Sequence, residues 1–189
     1  MFGTLAQRNK VSRETILEFI TSQKKAIIIY DAYIKGLRKN QKEIIENSLR
    51  AANILKVNKK EFLKLKDLIM GEKEDNKEFL HYLFEHFRLN LICVTLDKWG
   101  CYIFTKDETV YSPGINVATV DTVGAGDAFT ASLIIEYLKN EPLDTIAERA
   151  NYVGAYTSGY KSATPVYSKD DIISFSEKNV NKNIKQNIL

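Results

Sequence analysis

Apolar positions along the chain fall into two alternating kinds of run. In Ser12–Ser22, Ile16, Leu17, Phe19 and Ile20 recur at the spacing of one helix face. Ala26-Ile27-Ile28-Ile29-Tyr30 is short and continuously apolar instead, the pattern of a strand covered on both sides. The alternation continues with a helix over Gln41–Ala52, carrying Ile44, Ile45, Leu49 and Ala52, and a strand over Ile54–Val57 that ends at Asn58. Helical spacing returns at Lys60–Leu68 and Lys77–Phe87, separated by the polar stretch Gly71–Asn76. Leu91–Leu96 and Cys101–Thr105 read as strands around the turn Asp97–Gly100, and so short a link predicts a hairpin and some antiparallel pairing. Ile115–Val120 leads into Gly124-Ala125-Gly126, after which an apolar helix runs from Asp127 to Lys139. A last helix is expected over Leu143–Tyr160, where Leu143, Ile146, Ala147, Ala150, Val153 and Gly154 form one stripe. Strands alternating with helices predict an α/β protein, a layered sheet with helices on both faces. One core over residues 1–178 and a polar, loosely ordered tail, Asn179–Leu189, complete the organisation.

A chain of 189 residues suits one well-buried domain, and 44% hydrophobic with 27% charged residues is the balance of a soluble globular protein. The net charge of +3 is spread over scattered lysines that alternate with acids, as in Lys59–Glu74. No concentrated basic face or recognition motif speaks for nucleic acid, and the charge suits solvated helices or attraction for an anion such as a nucleotide. Cys93 and Cys101 form no C-x-x-C pair, and Cys93 sits in the apolar run Leu91–Val94, so a reduced, cytoplasmic protein is expected. Met1–Lys10 has no apolar targeting core and no stretch approaches ~18 uninterrupted apolar residues, so neither export nor a membrane is expected. His81 and His86 are spaced wrongly for a shared metal, and Trp99 and the tyrosines form no readable stacking platform.

Chemistry concentrates in Asp121-Thr122-Val123-Gly124-Ala125-Gly126-Asp127-Ala128-Phe129. Two glycines flanking a small residue at the mouth of a helix let backbone N–H groups converge, and the first donors of a helix attract anions. Asp127 falls in the first turn, where the dipole favours a carboxylate able to accept a proton. A carboxylate beside a phosphate site repels it, a cost that makes sense if Asp127 deprotonates an attacking alcohol. On these residues alone a tight turn followed by a dipole-stabilised acid fits as well. Asn58 and Glu61, three apart before an amphipathic run, read by themselves as a helix cap and its capping partner.

Asp-Thr-x-Gly-Ala-Gly-Asp-x-Phe at 121–129 resembles the C-terminal signature of the ribokinase/PfkB family of carbohydrate kinases; it is neither a Walker loop nor a protein-kinase motif. The resemblance implies a ribokinase-like three-layer α/β/α sandwich and transfer of the ATP γ-phosphoryl group to the hydroxyl of a sugar, fructose or a similar ketose or pentose. It makes Asp127 the catalytic base and the amides of Gly124, Ala125 and Gly126 an anion hole. Lys56–Glu61 is similar to the family's Asn-x-x-Glu motif, which gives Glu61 a role in organising Mg²⁺ through water and places Asn58 near the phosphates. Val94–Cys101 is similar to the segment lining adenine and ribose, which implicates Thr95, Asp97 and Gly100; Asp97 stands where glycine is usual, so the backbone is expected to approach the nucleotide less closely. Asn151 matches an adenine-contacting position, although as a bare residue it reads as an ordinary exposed polar group. Asp121 and the Val123 carbonyl match a monovalent-cation site, for K⁺, from which Tyr160–Ala163 could remove a ligand by replacing the usual Arg-x-Gly-Ala.

The resemblance runs from about Phe2 to Phe175 but covers only the later part of the family domain. Phe2–Arg8 looks like a mid-domain stretch, and the first strands, the Gly-Gly sugar motif and the small lid sheet have no counterpart. In Asp31–Lys35, Tyr33 replaces the family's Asn and Lys35 its Arg, which loses a planar phosphate-gripping fork. Three readings of the chain stay open: a fragment, a truncated gene product and a decayed paralogue. So do a catalytically silent nucleotide-binding module and a kinase for a nucleoside or vitamin alcohol. An uncovered sheet border would favour self-association or a homo-oligomer.

Overall fold

The structure, a computed structural model, describes residues 1–34, 41–179 and 183–184. It divides into two compact units, Met1–Thr95 with Phe104–Glu108, and Leu96–Ile103 with Thr109–Leu189. In the first, strands β1 (Phe2–Gly3), β2 (Ile29–Asp31), β3 (Ile54–Asn58) and β4 (Leu91–Thr95) pair in parallel in that order. Helices α1 (Lys10–Ser22), α2 (Gln41–Ala51), α3 (Lys59–Ile69) and α4 (Asn76–His86) lie between them in the chain. The first four residues of both β3 and β4 are buried, as the continuously apolar runs require of parallel strands covered on two faces. Tyr30, Ile45, Leu55, Phe62, Phe79 and Ile92 are fully buried among them, each worth ~1.5–3 kcal/mol of transfer free energy. Register brings the C-terminal strand ends into line: Asp31 lies beside Lys56, and Asn58 beside Thr95.

Two expectations shift here. The strand expected over Ala26–Tyr30 is β2, Ile29–Asp31, because Ile28 is taken up by Asn53: its N–H donates to the Asn53 side chain at 2.9 Å, and its carbonyl accepts from the Asn53 amide at 2.8 Å. On α1, Ile20 is buried whereas Phe19 is 66% exposed, so the inward face is built without Phe19. Lys35 lies outside the described residues.

The second unit holds most of β5 (Gly100–Phe104), then β6 (Thr109–Ile115), α5 (Ala125–Leu138), α6 (Leu143–Ser158), α7 (Lys169–Asn179) and β7 (Asn183–Ile184). β6 and β7 are antiparallel, with Gly114 beside Ile184 and Ile115 beside Asn183, so the strand pairing of the chain is mixed. Of the tail expected to be loosely ordered, this pair is described and the remaining residues beyond Asn179 are not. β6 ends at Ile115, where the sequence leads one to expect only the approach to the glycine motif to begin, since Pro113 and Gly114 interrupt the strand's pattern. α7 also went unforeseen, although it announces itself chemically: Asp171 accepts from the Ser168 amide at 2.7 Å while Ser168 Oγ accepts from the Asp171 amide at 3.2 Å, a capping box. Before β5, one turn of 3₁₀ helix, Asp97–Trp99, closes with Leu96 N–H donating to the Gly100 carbonyl at 2.7 Å. Gly100 has φ +99, and a Cβ there would stand 2.0 Å from the Ser112 carbonyl; a Cβ on Gly114 would stand 1.8 Å from the Lys98 carbonyl. Turn and strand thus meet backbone to backbone. Arg149 ties α6 to α5 by pairing with Glu136, and it also reaches Glu141 at 3.1 Å.

Candidate active site

The loop that opens α5 is held by its own backbone and one carboxylate. The Val120 and Asp121 amides donate to the Ser158 carbonyl at 2.8 and 3.1 Å, and Asp121 Oδ1 accepts from the Val123 amide at 3.0 Å. The chain then turns through Gly124 at φ 83 and ψ −15, a left-handed conformation that favours glycine. A Cβ there would also lie 2.0 Å from the Ala163 carbonyl, so the position is closed to side chains twice over. The Ala125 amide donates to the Thr122 carbonyl at 3.3 Å. Gly126 and Asp127 follow as the second and third helical residues, whose amides have no acceptor within the helix. Both residues are exposed, and Asp127 is the acid of the first turn. Asp121, Val123 and Gly124–Asp127 are therefore one contiguous feature: two amides without an intrahelical acceptor, on exposed residues, and a carboxylate at a helix start, chemically suited to an anion and a proton.

In the first unit Asn58 and Glu61 form a complete capping box. Asn58 Oδ1 accepts from the Glu61 amide, and Glu61 Oε2 accepts from the Asn58 amide, each at 2.9 Å. Sequence reasoning missed the pair beside them: Lys56 Nζ donates to both oxygens of Asp31, at 3.1 and 3.2 Å. A lysine inside the apolar strand Ile-Leu-Lys-Val, 9% exposed here, needs such a partner, and that lone charge was the available signal. Desolvation raises the proton affinity of Glu61; the Asn58 amide and Lys56 pull it back, while Asp31 adds to the rise. Thr95, in register with Asn58, donates weakly to the Val57 carbonyl at 3.4 Å.

The nucleotide-lining residues expected in the second unit have their own local roles. Asp97 adopts φ 53, the left-handed region in which glycine is usual and aspartate is among the tolerated exceptions. Gly100 is locked against β6 as described. Asn151 is not the exposed polar group its bare identity suggests; it is buried, and its Nδ2 donates to Ser112 Oγ at 2.8 Å and to the Ser112 and Pro113 carbonyls at 3.1 and 3.4 Å. Its partners lie 38 and 39 residues away on β6, beyond the reach of local pattern. Among the described residues no group of three or more His, Cys, Asp or Glu is placed to hold a metal ion. His86 stacks on Tyr82 at 3.9 Å, and no described helix is long and apolar enough to cross a membrane.

A family model for pfkB family carbohydrate kinases matches residues 7–170. The chain belongs to the PfkB family. It is 28% identical over 184 residues to the uncharacterised sugar kinase PH1459 of Pyrococcus horikoshii, a match covering 93% of this chain and 55% of that protein. To Fructokinase-2 of Oryza sativa subsp. japonica it is 34% identical over 132 residues, covering 64% and 39%. To the nucleoside kinase of Methanocaldococcus jannaschii it is 30% identical over 127 residues, covering 67% and 38%. The crystal structure of PH1459 in complex with ATP superposes with a TM-score of 0.75 at 27% identity, over 93% of this chain and 56% of that one. The nucleoside kinase structure gives 0.70 at 23% identity, over 88% and 54%. The fold is therefore the ribokinase-like α/β fold of PfkB kinases, and the chain spans about half the length of the relatives it matches.

Proposed function

We propose that this chain supplies the nucleotide-binding and phosphoryl-transfer part of a PfkB kinase that moves the γ-phosphoryl group of ATP onto a sugar hydroxyl. The start of α5 carries the reading: a left-handed glycine turn, two amides without an intrahelical acceptor and an exposed acidic residue within four residues. In the reaction the hydroxyl oxygen attacks the γ-phosphorus and the bond to the β–γ bridging oxygen breaks. ADP leaves with that oxygen, and the hydroxyl proton passes to Asp127. The amides of Gly124–Gly126 face the negative charge on the transferring group, that of Ala125 giving up its long 3.3 Å bond to the Thr122 carbonyl.

The donor set fits a magnesium–triphosphate. Burial raises the proton affinity of Glu61 while Lys56 opposes the rise, and Mg²⁺ needs few protein carboxylates because it retains water and phosphate ligands. Glu61, with Asn58 close by, would hold the ion through water, and bound Mg²⁺ would neutralise phosphate charge. Asp121 and the Val123 carbonyl would hold K⁺ beside the same loop. Thr95, Asp97, Gly100 and Asn151 are proposed to line the nucleoside.

Asp127→Asn tests the base. Phosphotransfer is expected to fall by at least ~10²-fold, the scale of general-base removal, while ATP still raises the melting temperature. ADP release with a panel of ketoses, pentoses and nucleosides is the assay, and an unchanged turnover number would overturn the assignment. The similarity to a nucleoside kinase favours a second reading in which the acceptor is a nucleoside, and the same panel separates the two. ATP binding with transfer to none of them would favour a silent nucleotide-binding module.

A further inference from the structure

The loop that opens α5 rests on one short stretch of its own unit, residues 154–163. At its entry, Val120 and Asp121 bond to the Ser158 carbonyl; at the turn, the Ala163 carbonyl fills the place of a Gly124 side chain. One helical turn before Ser158, a Cβ on Gly154 would stand 3.3 Å from both the Ala125 carbonyl and Phe129 Cβ. These three contacts fix the loop from its entry to the first turn of the helix that carries Asp127. Ser158 and Ala163 act through main-chain carbonyls, and Gly154 acts through the absence of a side chain.

We infer that Gly154 is a positioning residue for the transfer step: its bare Cα sets how closely α6 approaches the first turn of α5, and so where the Gly126 amide and Asp127 carboxylate stand. The inference rests on the reading of Asp127 as base. Glycine inside a 16-residue helix is unfavourable relative to alanine, so its presence here works against helix stability. Its neighbours are a backbone carbonyl and a Cβ, neither of which can rotate aside. An added methyl group is accommodated only by a shift of a few tenths of an ångström between the helices. Phosphoryl transfer is sensitive on that scale, since a ~1 Å misplacement costs about 10²-fold in rate.

A mere spacer and a positioning residue predict different outcomes for Gly154→Ala. If Gly154 positions the loop, the melting temperature equals or exceeds that of the unaltered chain, because alanine favours the helix, while turnover falls about 3- to 10-fold at unchanged KM for ATP. Gly154→Val should lower turnover further. Amide NMR spectra give a readout independent of activity: the Gly126 and Asp127 resonances move in Gly154→Ala, and that of Leu138 at the far end of α5 stays. Unmoved Gly126 and Asp127 resonances in the folded variant, or moved ones with unchanged turnover, overturn the inference. Moved resonances in a protein whose unaltered form transfers no phosphate overturn the reading of Asp127 as base, and the inference with it, by a route the spectra distinguish.

Discussion

Asp97 occupies a backbone conformation that most side chains avoid, with φ at 53 and the Gly100 amide bonded to its carbonyl across the 3₁₀ turn. A left-handed L-residue costs roughly 1–2 kcal/mol, less for aspartate, and β-branched residues fare worst. Asp97→Val is therefore expected to lose about 1–2 kcal/mol of stability in urea unfolding, and Asp97→Gly to lose none. Legibility at this scale followed chain distance. The left-handed turn at Gly124, the first-turn place of Asp127 and the Asn58–Glu61 cap could be read because local chain order sets each of them. Asn151 could not, because burial and its hydrogen bonds to Ser112 arise only when α6 meets β6. The Lys56–Asp31 pair, made by register between neighbouring strands, lay between these cases.

Helix α3 begins with a cap whose acid is also the one proposed to hold Mg²⁺. Its capping box secures the first turn and favours the ionised Glu61 through the Asn58 amide, yet burial outweighs that bond and leaves Glu61 harder to ionise. The folded state then holds the Glu61 proton more tightly than the unfolded chain does. Its contribution is most favourable below the ordinary glutamate range and declines as pH rises from there through the raised folded value. Glu61→Gln, which keeps an oxygen for the Asn58 amide, removes that dependence. Melting temperatures of the variant and the unaltered chain should converge near pH 4 and diverge towards pH 7, with the variant higher; the opposite trend would refute the account. Elsewhere, amphipathic spacing disclosed α1 to α6 to within a few residues. It failed for β6, broken by Pro113 and Gly114, and for α7, whose capping box was the clearer signal than its weak apolar stripe.

At the scale of the molecule, the alternation of apolar runs made the α/β class readable, and the first unit realises it as four parallel strands in chain order with one or two helices between each pair in sequence. The family was readable because one nine-residue motif reports a helix start whose chemistry is local. The pairing of β7 with β6 had no such signal, since two residues cannot show a period. The contact between Gly100 and Gly114 has a consequence for how this protein can change over generations. Each glycine faces main-chain carbonyls, of Ser112 and Lys98, which every residue type carries alike. A side chain introduced at one position cannot be relieved by trimming a side chain at the other. In a saturation library selected for folding, both positions should therefore be intolerant of every other residue, and no second-site change at residues 98 or 112–114 should rescue them. A recovered suppressor within those residues would show that the two backbones can part without unfolding the unit.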